Sequence, residues 1–162
     1  MARRAQPPVS SRPRGPTIQG RAWRLLVETP RDLFPYLDRE FREHAATDIQ
    51  RYDVMLHVSE SEGGCRMTDL ADAVVQSKSG LTSLVDRMEA DGLLERRPDP
   101  DDRRVTRIVL TALGERRFAE ATRHHRGVVR RIFTSRVSEE EARVLVAVLE
   151  RLRGEVSAPR KE

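Results

Sequence analysis

The stretch Met67–Thr111, MTDLADAVVQSKSGLTSLVDRMEADGLLERRPDPDDRRVTRIVLT, decides the fold. Thr68 is an N-cap candidate for a helix of about two turns with Leu70, Ala71 and Val74 on one side. Ser77 can cap a second helix that runs to Asp91 and is closed by Gly92, the residue type that tolerates a left-handed C-terminal cap. At about 100° per residue, Leu81, Leu84, Val85 and Met88 share one side of that helix. Ser79, Thr82, Ser83 and Arg87 fall on or near the other. Leu93–Arg97 and Val105–Leu110 read as short strands joined by a turn rich in Pro, Asp and Arg.

A helix whose outer face is small and polar can bring its backbone close to another surface while offering hydroxyls to base edges or phosphates. A hairpin following two such helices makes a winged helix. The hairpin tip carries Arg104, an arginine suited to the negative potential of an adjacent minor groove. Asp86 and Glu89 would be repelled by phosphate, so their expected partners are neighbouring arginines such as Arg87, Arg96 or Arg97.

Two runs of residues carry a family resemblance. Asp102, Arg104, Ile108, Leu110 and Thr111 form D-x-R-x-x-x-I-x-L-T, and Leu84–Arg96 reads L-V-D-R-M-E-x-D-G-L-L-E-R. Both resemble the wing and recognition helix of the MarR family of winged-helix transcriptional regulators, and the likeness extends over roughly residues 20 to 154. It implies a mainly α (α+β) fold, a winged helix-turn-helix with flanking dimerisation helices. The implied DNA contacts are Ser77, Lys78, Ser79, Thr82, Ser83 and Arg87 on the helix and Asp102, Arg103 and Arg104 on the wing, with Asp102 orienting Arg104. The implied partners are a pseudo-palindromic double-stranded DNA operator, a second copy of the chain and a small-molecule effector. In the family, small anionic or aromatic ligands bind between the dimer helices and the winged unit, which makes Trp23, Arg24, Tyr52 and His57 the candidate ligand residues.

Charge alone does not argue for DNA. The pI is near 9.9, yet six arginines precede the first acid, Glu28, and contribute +6, leaving about −2 for the remainder of a chain whose net charge is +4. Ser77 to Arg107 is balanced at seven bases and seven acids. The case therefore rests on where particular bases point.

At 162 residues the chain suits one domain, and it holds no apolar run of membrane-spanning length and no signal-peptide pattern, so a cytoplasmic protein is expected. Residues 1–18 are rich in Arg, Pro, Ser and Gly and read as a disordered basic tail, with a short C-terminal tail at 155–162. Between them lie a DNA-binding lobe at about 48–110 and dimerisation helices at about 19–45 and 111–154. The first of these helices starts near Gln19 and should break near 29–32, because Thr29–Pro30 interrupts it and Asp32 can cap a new start ahead of Pro35. A further helix spans roughly Asp48 to Ser59 under a Thr47 or Asp48 cap, and Cys65–Met67 offers a short strand after a glycine turn. Thr111 caps a long helix reaching about Thr134, and Ser138 with Glu141 forms a capping box ahead of a last helix bearing Ala142, Leu145, Val148, Leu149 and Leu152 on one face.

An enzyme is not expected: no nucleophile has an attendant base, and no phosphate loop or paired carboxylate is present. No cofactor is expected either. The single cysteine, Cys65, excludes an internal disulfide and a cysteine-based zinc site, and without a resolving partner it is a poor redox sensor. His44, His57, His124 and His125 lack metal-ligand spacing. The function the resemblance implies is a sequence-specific, double-stranded-DNA-binding transcriptional regulator, a dimeric repressor relieved by a small-molecule effector such as an aromatic acid. The competing reading is a winged helix used as a protein-interaction or architectural module with no ligand response.

Overall fold

The computed structural model describes residues 17–74, 78–102 and 104–157, the Lys78 side chain excepted. The chain divides into two compact units, one ending at Leu37 and one beginning at Asp38.

The first unit is the N-terminal part of helix α1 (Ile18–His44). Thr17 starts it: its Oγ1 accepts the Gly20 amide at 3.1 Å, one residue ahead of the expected beginning. The expected break near 29–32 does not occur, and Asp32 lies inside the helix. Each proline deprives the carbonyl four residues earlier of its donor, here Leu26 and Arg31. Both of those residues are exposed, so water can take the missing bond and the helix continues. Ile18, Trp23, Leu25, Val27 and Phe34 of this unit are exposed to solvent.

The second unit holds the last turns of α1, then α2 (Ile49–Glu60), β1 (Cys65–Arg66), α3 (Met67–Ala73), α4 (Lys78–Ala90), β2 (Leu94–Pro98), β3 (Thr106–Leu110) and α5 (Ala112–Val129). One π turn, Arg130–Thr134, follows α5, and α6 (Glu139–Ser157) ends the described chain. The three strands form an antiparallel sheet in the order β1-β3-β2, with Cys65 opposite Ile108 and Leu94 opposite Leu110. Pro98 is accommodated because β2 is an edge strand.

Most local signals act as expected. Asp48 caps α2 by accepting the Arg51 amide at 2.8 Å, and Thr111 caps α5 by accepting the Gly114 amide at 3.0 Å. Gly92 has φ 70°, and the Leu93 amide bonds the Met88 carbonyl while the Gly92 amide bonds that of Glu89, a Schellman cap on α4. The Ser138 amide donates to Glu141 Oε2 at 2.8 Å and the Glu141 amide to Ser138 Oγ at 3.2 Å, completing the capping box.

Four expectations need correction. Thr68 is not a cap: α3 begins at Met67 after an extended Arg66, and the Thr68 hydroxyl turns to Asp69 Oδ1. Each strand of the hairpin starts one residue later than the alternation suggested. The strand expected over Cys65–Met67 forms as β1, with Cys65 buried, but it stops at Arg66 because Met67 begins α3. The C-terminal helix continues to Ser157, into the segment read as a tail. The Ser77 cap and the basic tail over 1–16 lie outside the described residues.

The core gathers Val54, Met55, Val58, Leu70, Val74, Leu81, Leu84, Val85, Met88, Leu93, Leu94 and Ile108, with Leu113 and Phe118 of α5 packed on it. Two glycines permit this closeness. A Cβ on Gly114 would sit 2.0 Å from the Leu93 carbonyl oxygen, and one on Gly64, at φ +95°, would sit 2.7 Å from that of Ile108. Among the described residues no helix is long and apolar enough to cross a membrane.

Candidate nucleic-acid interface

Helix α4 turns Leu81, Leu84, Val85 and Met88 inward, which leaves Ser79, Thr82, Ser83 and Arg87 exposed together on its opposite side. Burial of one stripe thus fixes which side chains the other presents. Of the remaining candidates, Ser77 and Arg103 lie outside the described residues, as does the Lys78 side chain.

The wing is held to this helix by Arg96. From β2 its Nη2 donates to Asp86 Oδ1 at 2.6 Å and its Nη1 donates to Glu89 Oε2, so one guanidinium bridges two successive acids of α4, the first exposed and the second half-buried. Those acids raise the Arg96 pKa further, the Asp86 hydrogen bond contributing most. The single positive charge of Arg96 thereby offsets part of the negative charge that Asp86 and Glu89 place on a helix that would otherwise repel phosphate more strongly.

A second hub lies at the hairpin turn. Asp99 is buried, and its carboxylate accepts from Arg107 Nε at 2.6 Å and from the amides of Asp101 at 2.9 Å and Asp102 at 3.3 Å. Arg107 first, then these amides, holds the Asp99 carboxyl below the usual aspartate range. Arg107 Nη1 also donates to the carbonyls of Glu62 at 3.3 Å and Gly64 at 3.1 Å, tying the hairpin to the turn before β1. Arg104 is exposed beyond this hub, and its amide donates to Asp102 Oδ1 at 3.0 Å. Asp102 therefore shapes the backbone from which Arg104 projects.

Asp99 and Arg107 were not among the sequence candidates. An Asx-turn signal was present at Asp99, whose run Asp-Pro-Asp-Asp favours a carboxylate accepting amides two and three residues on. Arg107 carried no signal for its bonds to Glu62 and Gly64, because those two carbonyls lie over 40 residues earlier in the chain.

The four ligand candidates fall in two units, and each unit is described by itself. Trp23 and Arg24 belong to the first unit, where both are exposed, Trp23 at 64%. Tyr52 is buried in the second unit, its ring 4.7 Å from that of Phe41 and 5.7 Å from that of Phe118, with its hydroxyl 3.3 Å from His125 Nδ1. Burial, then His124, lowers the His125 pKa. His57 is half-buried between Asp53 at 3.6 Å and Glu60 at 3.8 Å, about 140° around α2 from Tyr52. Burial raises the Asp53 pKa against the opposing pull of His57. Burial also pushes the Cys65 thiol up, away from the reactive thiolate. Among the described residues, no group of three or more His, Cys, Asp or Glu is arranged to hold a metal.

A MarR family profile matches residues 47–105, which run from the start of α2 through the wing tip. The repressor IacR of Pseudomonas putida is 32% identical over 79 residues, covering 47% of this chain and 47% of that protein. The chain spans about half the length of the curated relatives it matches. Structural similarity reaches further. AbsC, a MarR family transcriptional regulator from Streptomyces coelicolor, superimposes with a TM-score of 0.73 at 34% identity, over 87% of this chain and 99% of AbsC. Another MarR family regulator of that organism, solved in complex with DNA, gives 0.78 at 25% identity over 88% of this chain and 94% of its own. With the winged-helix topology, the wing residues and near-complete coverage of AbsC in agreement, the chain belongs to the MarR family.

Proposed function

We propose that the protein is a sequence-specific, double-stranded-DNA-binding transcriptional regulator that works as a homodimer, a repressor relieved by a small-molecule effector. The observation that carries the reading is the Arg96 brace: it couples a helix with a small polar outer face to a hairpin ending in an exposed arginine. In this reading α4 enters a major groove through Ser77, Lys78, Ser79, Thr82, Ser83 and Arg87. The wing reaches the neighbouring minor groove through Arg104, with Arg103 on phosphate and Asp102 as the turn former. The relative solved in complex with DNA supports DNA binding, and the repressor IacR supports repression.

The DNA-binding lobe runs over about 48–110, and the flanking helices carry dimerisation. An exposed apolar stripe on α6, including Leu145, Leu149 and Leu152, supports association with a second copy, which would also match a two-fold operator. The effector reading is an aromatic acid near Trp23 and Arg24, and linkage requires that operator DNA weaken its binding by the factor by which it weakens DNA binding.

Selection of bound duplexes from a random library should yield a pseudo-palindrome. Arg104→Ala should weaken binding to it by about 1–3 kcal/mol without loss of helicity. Recovery of duplexes with no shared sequence, or an unchanged affinity in the variant, would refute the assignment. Quenching of Trp23, the one tryptophan, by aromatic carboxylates with parallel operator release tests the effector.

A further inference from the structure

The end of α5 carries a run of bases that DNA recognition does not use, RHHRGVVRRIFTSR over Arg123–Arg136. Where the helix passes into the π turn the surface sinks into a depression of about 710 Å³, lined chiefly by His124, Gly127, Arg130, Arg131, Ser135 and Arg136. No acid lines it among the described residues.

Three features build this depression. Gly127 sits inside α5, where glycine is a poor helix former. A Cβ there would meet nothing within 4 Å and the residue has no positive φ, so neither packing nor backbone geometry requires glycine. What its missing side chain does is keep the hollow open.

The π turn is the second feature. The Ser135 amide reaches back to the Arg130 carbonyl at 3.1 Å, and this wider turn sets arginines of α5's continuation around one hollow. Arg136 folds back over it, donating through Nη1 to the Arg131 carbonyl and lying 3.3 Å from Ser135 Oγ.

The third is an internal counter-charge. Glu40 of α1 holds Arg131 at 2.8 Å and lies 3.5 Å from His124 Nε2, a buried nitrogen that makes no hydrogen bond. Glu40 thus sits behind Arg131 and His124, while Arg130 and Arg136 line the hollow beside them. Guanidinium groups clustered around an open cavity are suited to oxyanions, which they bind through paired N–H donors.

We propose that this depression binds a small polyanion, a molecule with two or more phosphate or carboxylate groups. The proposal rests neither on the DNA reading nor on the Trp23 and Arg24 candidates. Pyrophosphate and citrate serve as probes, titrated separately into the full-length protein by calorimetry at constant ionic strength with no DNA present. At least one should bind saturably, one molecule per chain. Pyrophosphate alone would indicate the phosphate class, citrate alone the polycarboxylate class, and both a site read by charge. Arg130→Ala and Arg136→Ala should each weaken binding at least tenfold, whereas Arg97→Ala on the wing should not change it. Gly127→Leu should abolish binding by filling the hollow while keeping or raising helicity and thermal stability. Absence of saturable heat with both probes, unchanged affinity in Gly127→Leu, or equal losses in Arg97→Ala would overturn the proposal; an acidic side chain of a second copy occupying the hollow would appear as the first of these.

Discussion

Helices α4 and α6 carry the same kind of apolar stripe, and the fold treats them in opposite ways. In α4, Leu81, Val85 and Met88 are wholly buried; in α6, Leu145, Leu149 and Leu152 each stay nearly 40% exposed and no residue of the helix is buried. Periodicity of 3.6 residues is a property of one helix, whereas burial requires a second surface at the right distance. Helix α4 has that surface in the wing sheet, α2 and α3. Helix α6 has no such surface among the described residues, which leave its stripe partly open. Full burial of a leucine is worth about 1.5–3 kcal/mol, and covering the exposed two-fifths of each of these three leucines gains part of that, a bias toward association.

The sharpest way to test this contrast is to remove the same chemistry from each helix. Leu81→Ala should destabilise the folded chain by about 2–5 kcal/mol in urea unfolding, because the lost methyl groups leave a cavity among neighbours that cannot all close in. A change within about 0.5 kcal/mol would mean that α4 is not packed as described.

Charge on the α6 stripe should do something different. The double variant Leu145→Glu with Leu149→Glu is expected to keep the helicity of the winged unit while converting the proposed dimer to monomer at micromolar concentration, a loss of at least about 100-fold in association, or about 2.7 kcal/mol. Sedimentation velocity reads this directly. If the variant and the parent sediment alike, whether both as dimers or both as monomers, α6 does not hold the dimer.

Next in size is the turn hub, where the effect has a pH signature. The folded Asp99 carboxyl lies below the ordinary aspartate value of 3.8, so its stabilisation is complete above that value and is lost as pH falls through the folded pKa. Parent and Asp99→Asn should therefore differ in melting temperature at pH 5–7, and the gap should close in more acid solution. A gap that stayed constant down to pH 2.5 would mean that Asp99 acts through shape and not through its charge.

The smallest expected change is in Arg96→Met. Its ion pairs with Asp86 and Glu89 are about a third or more exposed, so solvent screening limits their stability contribution to about 0.2–1 kcal/mol. Operator affinity should fall by more than this stability loss, since two acids on α4 would then face phosphate without a counter-charge. Equal affinities in parent and variant would reduce the brace to a surface pair.

Legibility tracked the range of the interactions involved. The caps of Asp48 and Thr111, the Schellman end at Gly92 and the Ser138–Glu141 box were all readable, because each bond closes within about five residues. The inner and outer faces of α4 were readable for the same reason. The break assigned to Pro30 was not, since a proline's penalty depends on whether water can reach the carbonyl it strands. Nor was the enclosure of Tyr52, which depends on Phe41, Phe118 and His125 arriving from two other helices.

What the amino-acid order determined by itself was the set of helices and strands, the family likeness of the wing and the polar surface of α4, all consequences of short-range bonding and of spacing along one element. What only the tertiary structure decided was how those elements are braced: the choice of Arg96 among the three arginines expected near Asp86 and Glu89, the reach of Arg107 from β3 back to Glu62 and Gly64, and the hollow opened by Gly127 beside the π turn. Long arginine side chains select partners by proximity in space, and no pattern within one segment encodes a neighbour more than 40 residues away.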